Sequence, residues 1–216
     1  MPLTNLLAFL GAAILLAMTP GPSTLVVLRQ TLRNGRRMAF ATTLGNATGL
    51  MTWAVAAAFG LTALVAASQV AYDITRILGA VVLAALGIQS LLRARRDRGN
   101  EFAKEAAGEA AVKAASPNGW QAYRTGIVTN LTNPKAAVFI VSFLPQFVPA
   151  HAPVFITILL LAALHGVISI SWYTILAWMI SRARHAFVRS SVRRRLEQIS
   201  GLVLIGFGVR LAVAHR

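Results

Sequence analysis

Cysteine is absent from the 216 residues, and acidic residues are scarce, with 6 Asp+Glu against 21 Lys+Arg. The lack of cysteine excludes a small secreted domain held together by disulfides. Only 12% of the residues are charged, about half the share of a soluble domain, and 56% are hydrophobic. This polar material is too sparse to cover a soluble globule, and the apolar content also excludes a disordered chain and a nucleic-acid binder. The composition therefore predicts an integral membrane protein.

Long runs without charge mark the candidate spans, because a transmembrane helix needs about 20 mostly apolar residues. The alternation of apolar and polar residues that is typical of strands is absent, so we expect the spans to be helices. We predict six helices, at roughly 3–28, 39–67, 74–92, 121–148, 153–180 and 198–214. If one of these segments were only re-entrant, five spans would result. The predicted organisation is a first three-helix repeat at 1–92, a connector at 93–120 and a second repeat at 121–216.

Basic residues are concentrated in three predicted loops. Seventeen of the 21 follow the first, third and fifth helices, within 29–37, 93–124 and 182–195. By the positive-inside rule these loops are cytoplasmic, which places both termini outside. The arginines follow the first apolar run instead of preceding it, so we expect that run to be an anchor and not a cleaved signal peptide. The cluster at 182–195 is typical of a signal for topology and for contact with lipid headgroups.

Two predicted spans contain breaks. The first holds Thr19-Pro20-Gly21-Pro22-Ser23, and the fourth holds Asn130-Leu-Thr-Asn-Pro-Lys135. Proline interrupts a helix, and broken backbone survives in a membrane only inside protein or beside a wet cavity. A kink that merely shapes packing is the alternative interpretation. Lys135 favours a functional role for the second break, because placing an ionisable residue inside a span costs free energy.

The two halves of the chain show a weak internal match. Pro20 aligns with Pro134, Asn46 with His165, and Trp53 with Trp172, while Gly79 and Gly87 align with Gly201 and Gly208. Broken helices in matching positions of two halves point to the binding site of a transporter. An odd number of spans in each half makes the second half inverted. The predicted fold is an all-α integral membrane protein with two inverted three-helix repeats, whose first and fourth helices are broken.

The motifs at both breaks carry a resemblance to a known family. Met18-Thr-Pro-Gly-Pro-Ser23, Leu44-Gly-Asn46-Ala-Thr-Gly49, Gly126-Ile-Val-Thr-Asn130-Leu-Thr-Asn-Pro-Lys135 and Phe143-Leu-Pro-Gln-Phe147 occur in this order. With them the sequence resembles the LysE/RhtB family of amino-acid exporters over essentially its whole length. The resemblance implies a six-span protein of the bacterial inner (plasma) membrane that exports amino acids or related metabolites, driven by an ion gradient. It leaves proton coupling and a homodimer open, and it implies no cofactor, no metal and no enzymatic activity.

The breaks suggest how a substrate could be held. Helices that restart after Gly21 and after Pro134 present free amide groups, which together with Lys135 suit a carboxylate. Asn46, Thr42, Asn130 and Asn133 could accept hydrogen bonds from an amino group. The candidate substrate-binding residues are Pro20, Gly21, Pro22, Ser23, Thr42, Asn46, Asn130, Asn133, Pro134 and Lys135. His165 is the candidate for coupling, because it is the histidine within a span and its ordinary pKa lies nearest physiological pH.

The position of the acidic residues narrows the range of candidate substrates. None of the six lies in the middle of a predicted span, so the side chain of a transported lysine or arginine would lack a countercharge. A neutral amino acid is therefore favoured over a basic one. The alternatives are an exporter of a metal ion or another small solute, and a membrane-embedded enzyme. The enzyme is disfavoured because the spans carry no carboxylate pair and no helix-spaced histidine pair.

Overall fold

The structure of this chain is a computed structural model, which describes residues 3–67, 69–95, 118–149, 152–182 and 190–213. Helices contain most of these residues and none of them lies in a strand, which confirms the predicted all-α class. The helices are α1 (Leu3–Met18), α2 (Pro22–Ala67), α3 (Gln69–Arg95), α4 (Gly119–Leu131), α5 (Pro134–Val138), α6 (Val154–Arg182) and α7 (Ser190–Val213). A π-helical turn (Phe139–Phe143) and a 3-10 turn (Leu144–Phe147) follow α5. Most of the predicted connector, 96–117, lies outside the described residues.

Both predicted breaks are present as bends. The helix axes change direction by 52° between α1 and α2 and by 59° between α4 and the segment that begins at Pro134. Each second helix begins at a proline, Pro22 or Pro134, where the missing amide hydrogen costs nothing. Pro20, which the sequence aligned with Pro134, lies inside the first interruption, and the helix that follows it begins two residues later.

The loop predicted between the first two helices does not exist as irregular chain. Residues 29–38 are helical, and α2 departs from helical geometry only at Gly35, with φ 80° and ψ 176°. Glycine adopts this positive φ without steric cost, so the helix can change direction in a single residue. The arginines of this segment therefore lie on a rigid corner of α2.

Apolar surface is exposed along the helices. Large hydrophobic side chains with more than half of their surface exposed include Leu7, Phe59, Leu78, Leu160 and Leu202. Apolar surface on this scale marks contact with lipid or with another protein. By length and composition α6 can cross a membrane alone, and each of the two bent pairs can form one further span. The other apolar helix of the described residues, Ile77–Leu92 within α3, is shorter.

Buried side chains form two clusters on either side of the breaks. The larger cluster joins α1, the middle of α2, α3 and α6 around Phe9, Phe139 and Phe143. The smaller one joins the first half of α2 to the end of α6 through Val27 and Tyr173. The end of α1 before the first break and the segment after the second break thus pack in the larger cluster, while α2 after the first break packs in the smaller one.

The close approach of α2 and α4 depends on glycine. A Cβ on Gly126 would overlap the carbonyl oxygen of Thr42 and would lie 2.7 Å from the amide nitrogen of Asn46. A Cβ on Gly45 would likewise overlap the carbonyl oxygen of Tyr123. Small residues let helices in membranes approach at backbone distance. The contact therefore fixes the position of Asn46 relative to α4.

We expect Gly126→Ala to lower the free energy of unfolding by about 1–3 kcal/mol, because the added methyl group must push α2 and α4 apart. Gly206→Ala is the matched control, since a Cβ there meets no atom within 4 Å. Both values can be measured on the purified protein by unfolding in SDS. Equal stability of the two variants would contradict the glycine contact.

Candidate functional site

A cavity lies where the two breaks meet. Its volume is about 220 Å³, several times the ~30 Å³ that one water molecule occupies in the liquid. Six predicted site residues line it, namely Pro20, Gly21, Pro22, Asn133, Pro134 and Lys135. Thr19 and Leu25 add to the wall from the first break, and Leu86, Gln89, Ser90 and Leu204 complete it from α3 and α7. The cavity has the size for a small metabolite.

Lys135 connects the two breaks directly. Its ammonium group donates hydrogen bonds to the carbonyl oxygens of Thr19, at 2.9 Å, and Leu16, at 3.2 Å. Leu16 lies in the last turn of α1 and Thr19 follows its end, where the interruption of a helix leaves carbonyl groups short of amide partners. The carbonyl of Leu16 also accepts a hydrogen bond from the Thr19 amide at 3.2 Å. A Cβ on Gly21 would lie 3.4 Å from Nζ, at ordinary van der Waals distance, so the first break packs directly beside the lysine side chain. Lys135 therefore stabilises the broken end of α1 and borders the cavity at the same time.

Four of the predicted residues form one buried chain of hydrogen bonds. Ser23 donates to the amide oxygen of Asn46 at 2.7 Å, and the amide nitrogen of Asn130 donates to the same oxygen at 3.3 Å. The amide nitrogen of Asn133 donates to the Ser23 hydroxyl, also at 3.3 Å. Each of the four side chains is at most 4% exposed. The chain links α2 to both sides of the second break.

The side-chain oxygens that were proposed to bind a substrate amino group differ in how many hydrogen bonds they already make within the protein. Asn46 already accepts two hydrogen bonds, and the amide oxygen of Asn133 caps α5 by accepting from the Lys135 amide at 3.1 Å. The Thr42 hydroxyl lies 3.0 Å from the carbonyl oxygen of Ala122 and ties α2 to α4. The amide oxygen of Asn130 is buried without a hydrogen-bond partner among the described residues. Of these four side chains, Asn133 lines the cavity and the other three do not.

His165 lies in the larger buried cluster next to the second break. Its ring centroid is 4.9 Å from that of Phe139, one turn beyond Lys135, and the side chain is 4% exposed. Its Nδ1 atom has no hydrogen-bond partner in the described part of the chain. The histidine does not line the cavity at the breaks.

Sequence reasoning missed the contribution of α3. Gln89 and Ser90 line the cavity, and they are the only strongly polar side chains of the charge-free run 77–92. An adjacent pair of polar residues near the end of an apolar span was therefore the signal that could have identified this wall. Tyr173 of α6 was also missed; it is buried and packs with Val27 in the smaller cluster, four residues beyond Ser23.

We expect Asn46→Leu to lower the free energy of unfolding by about 2 kcal/mol, because it leaves the Ser23 and Asn130 donors buried without their acceptor. The same substitution at Asn34, which bonds only to Gln30 on the same helix, is expected to stay within about 0.5 kcal/mol of the parent chain. Unfolding of the two purified variants in SDS compares these values. A smaller loss for Asn46→Leu than for Asn34→Leu would contradict the hydrogen-bond chain.

Comparison with known proteins identifies the family of this chain. The profile of the LysE type translocator family matches residues 14–215. The chain is 31% identical to an uncharacterized membrane protein of Vibrio cholerae, with 96% of each protein covered, and 27% identical to the uncharacterized membrane protein YrhP of Bacillus subtilis, with 97% and 99% covered. It is 28% identical to the leucine efflux protein of Salmonella typhimurium, over 96% of this chain and 94% of that protein. No solved structure matches the chain. This chain belongs to the LysE type translocator family.

Proposed function

We propose that this protein is a secondary transporter, and not an enzyme, which exports a neutral amino acid or a related small metabolite from the cytoplasm. The observation that carries the proposal is the cavity of about 220 Å³ at the meeting point of two broken helices. Broken helices in the two halves of a membrane protein are the usual setting of a transporter's binding site. Membership of a translocator family supports the same class of function.

The lining of the cavity suits each part of an α-amino acid. The third hydrogen of the Lys135 ammonium is not used by the carbonyls of α1, and together with the first turn of α2 it would bind the substrate carboxylate. Oxygen atoms of Thr19 and Gln89 would accept from the substrate ammonium. An aliphatic side chain would pack against the leucines that α2, α3 and α7 contribute to the wall.

The charge of the lining favours a neutral substrate. Among the described residues that border the cavity, Lys135 carries a charge and none is acidic. A lysine or arginine substrate would bring a second cation beside Lys135 without a countercharge. The similarity to a leucine efflux protein of Salmonella typhimurium supports a neutral substrate as well.

Two contacts between α3 and α7 support an arrangement of six spans in two inverted repeats. A Cβ on Gly87 would lie 2.7 Å from the carbonyl oxygen of Gly201, and a Cβ on Gly201 would lie 2.8 Å from that of Gly87. About two turns further along, a Cβ on Gly208 would lie 2.8 Å from the carbonyl oxygen of Ala80. An inverted two-fold axis that exchanges α3 with α7 would also exchange the Gly87–Gly201 contact with the Ala80–Gly208 contact. The restart of α2 at Pro22 and of α5 at Pro134 fits the same relation.

His165 is proposed as the group that couples export to protons. Its buried Nδ1 atom lacks a partner among the described residues, and its ring contacts Phe139 on the segment that begins with Lys135. Through this contact, a change of charge on the ring would alter the electrostatic potential and the packing at the second break. Export of another small solute remains the second candidate for the function, and it would use the same cavity.

We expect cells that express the protein to release a neutral amino acid, loaded as a dipeptide, several-fold faster than cells with an empty vector. Lys135→Met is expected to slow this release at least about tenfold, because a charge-assisted hydrogen bond to the substrate carboxylate is lost. Labelled leucine, threonine, lysine and arginine can be compared in one assay. Release of the basic amino acids in preference to the neutral ones would contradict the proposed substrate class.

The matched control for this assay is Lys113→Met, which removes the same charge from the predicted connector. We expect it to export at the parent rate, with the amount of protein in the membrane checked by immunoblot. Unchanged export by Lys135→Met at equal amounts would remove Lys135 from the binding site.

The proposed orientation can be tested on the natural sequence, which has no cysteine and gives no background with thiol reagents. Ala152→Cys, between the fourth and fifth predicted spans, is expected to react with a membrane-impermeant maleimide in intact cells. Ser116→Cys, in the connector, is expected to react only after the cells are permeabilised, because basic loops stay inside. The reverse pattern would invert the proposed topology.

A further inference from the structure

A second groove lies at the Gly35 corner of α2, away from the cavity at the breaks. Its volume is about 390 Å³. Arg36, Arg37 and Phe40 line it from α2, and Thr174, Ala177 and Trp178 line it from the end of α6. None of its lining residues borders the cavity at the breaks, so the proposed substrate path does not account for it.

The rim of this groove is positively charged. Arg36 and Arg37 are exposed, and within the described part of the chain neither makes a hydrogen bond or an ion pair. The Arg182 guanidinium lies 5.0 Å from the centre of the Trp178 ring, which adds a third cation at the end of α6. No acidic residue belongs to the lining. The positive charge of the rim is therefore available to an anion.

The wall of the groove is apolar and aromatic. Phe40 is 44% exposed and Trp178 is 48% exposed, although both face the same groove. Tryptophan beside arginine at the end of a span is the usual composition of the membrane interface. A ligand that fits both parts needs an anionic head and an apolar tail.

We propose that this groove binds one anionic phospholipid, with its phosphate on Arg36 and Arg37 and an acyl chain along Phe40, Ala177 and Trp178. Guanidinium groups bind phosphate through paired hydrogen bonds, and basic pockets between transmembrane helices recognise acidic headgroups. The change of direction of α2 at Gly35 creates the groove, because it brings both arginines next to the end of α6. The lipid is a bound partner here and is independent of the exported substrate.

Native mass spectrometry of the purified full-length protein tests the proposal. Phosphatidylglycerol and phosphatidylcholine with identical acyl chains are titrated in separate samples, and dissociation constants are obtained for the first bound lipid. A basic residue at an anionic lipid surface contributes roughly a five-fold factor, so we expect about a 25-fold preference for phosphatidylglycerol. We expect Arg36→Gln/Arg37→Gln to abolish this preference. Equal binding of the two lipids to the parent chain would overturn the proposal.

Two controls separate this site from general attraction to positive charge. Arg33→Gln/Arg124→Gln removes the same number of exposed arginines, which do not line the groove, and is expected to keep the preference. Loss of the preference in this control would overturn the proposal. Glycerol phosphate is expected not to displace the lipid at equal concentration, and full displacement would instead identify a site for a soluble anion.

A further variant keeps both arginines and tests the apolar wall. Phe40→Ala is expected to weaken binding of phosphatidylglycerol roughly threefold, because part of the contact with the acyl chain is removed. This measurement also decides the proposal if the double arginine variant fails to fold. Unchanged binding to Phe40→Ala would contradict a lipid that lies in the groove.

Discussion

The carbonyl groups at the end of α1 impose the constraint on which this structure depends. A helix that stops inside a membrane leaves acceptors that lipid cannot satisfy. Here the ammonium group of Lys135 binds the carbonyl oxygens of Leu16 and Thr19, so the second break supplies the partner that the first break lacks. The charge of the lysine is in turn stabilised by these dipoles. Neither break is complete without the other, and the space left between them is the cavity.

The surrounding helices hold this arrangement in place. Glycines let α2 and α4 approach at backbone distance, which carries Asn46 to the side chain of Asn130. Ser23 and Asn133 extend the same hydrogen bonds across the two breaks. Most of the polar residues near the breaks therefore stabilise the fold and do not face the cavity. We propose that a substrate contacts Lys135, the first turn of α2 and the wall from α3.

The sequence predicted the breaks correctly because proline acts locally. Pro20, Pro22 and Pro134 interrupt helices whatever surrounds them. The helical conformation on both sides of Gly35 was not predictable in this way, because the arginines suggested a loop and only the backbone geometry shows that the chain turns at this one residue. The role of Lys135 as a partner for α1 was hidden too, because 119 residues separate it from Leu16. Long-range contacts of this kind are set by packing and leave no local pattern.

The proposed export requires above all that a transported amino acid lies in the cavity between the breaks. The absence of cysteine allows a direct measurement, because Ser90→Cys places a single thiol in the wall of that cavity. The rate of its reaction with a small maleimide should fall when a transported amino acid is added at saturation. Thr174→Cys, in the groove at Gly35, should react at the same rate with and without it. If a transported amino acid leaves the reaction at position 90 unchanged, the substrate does not bind between the breaks.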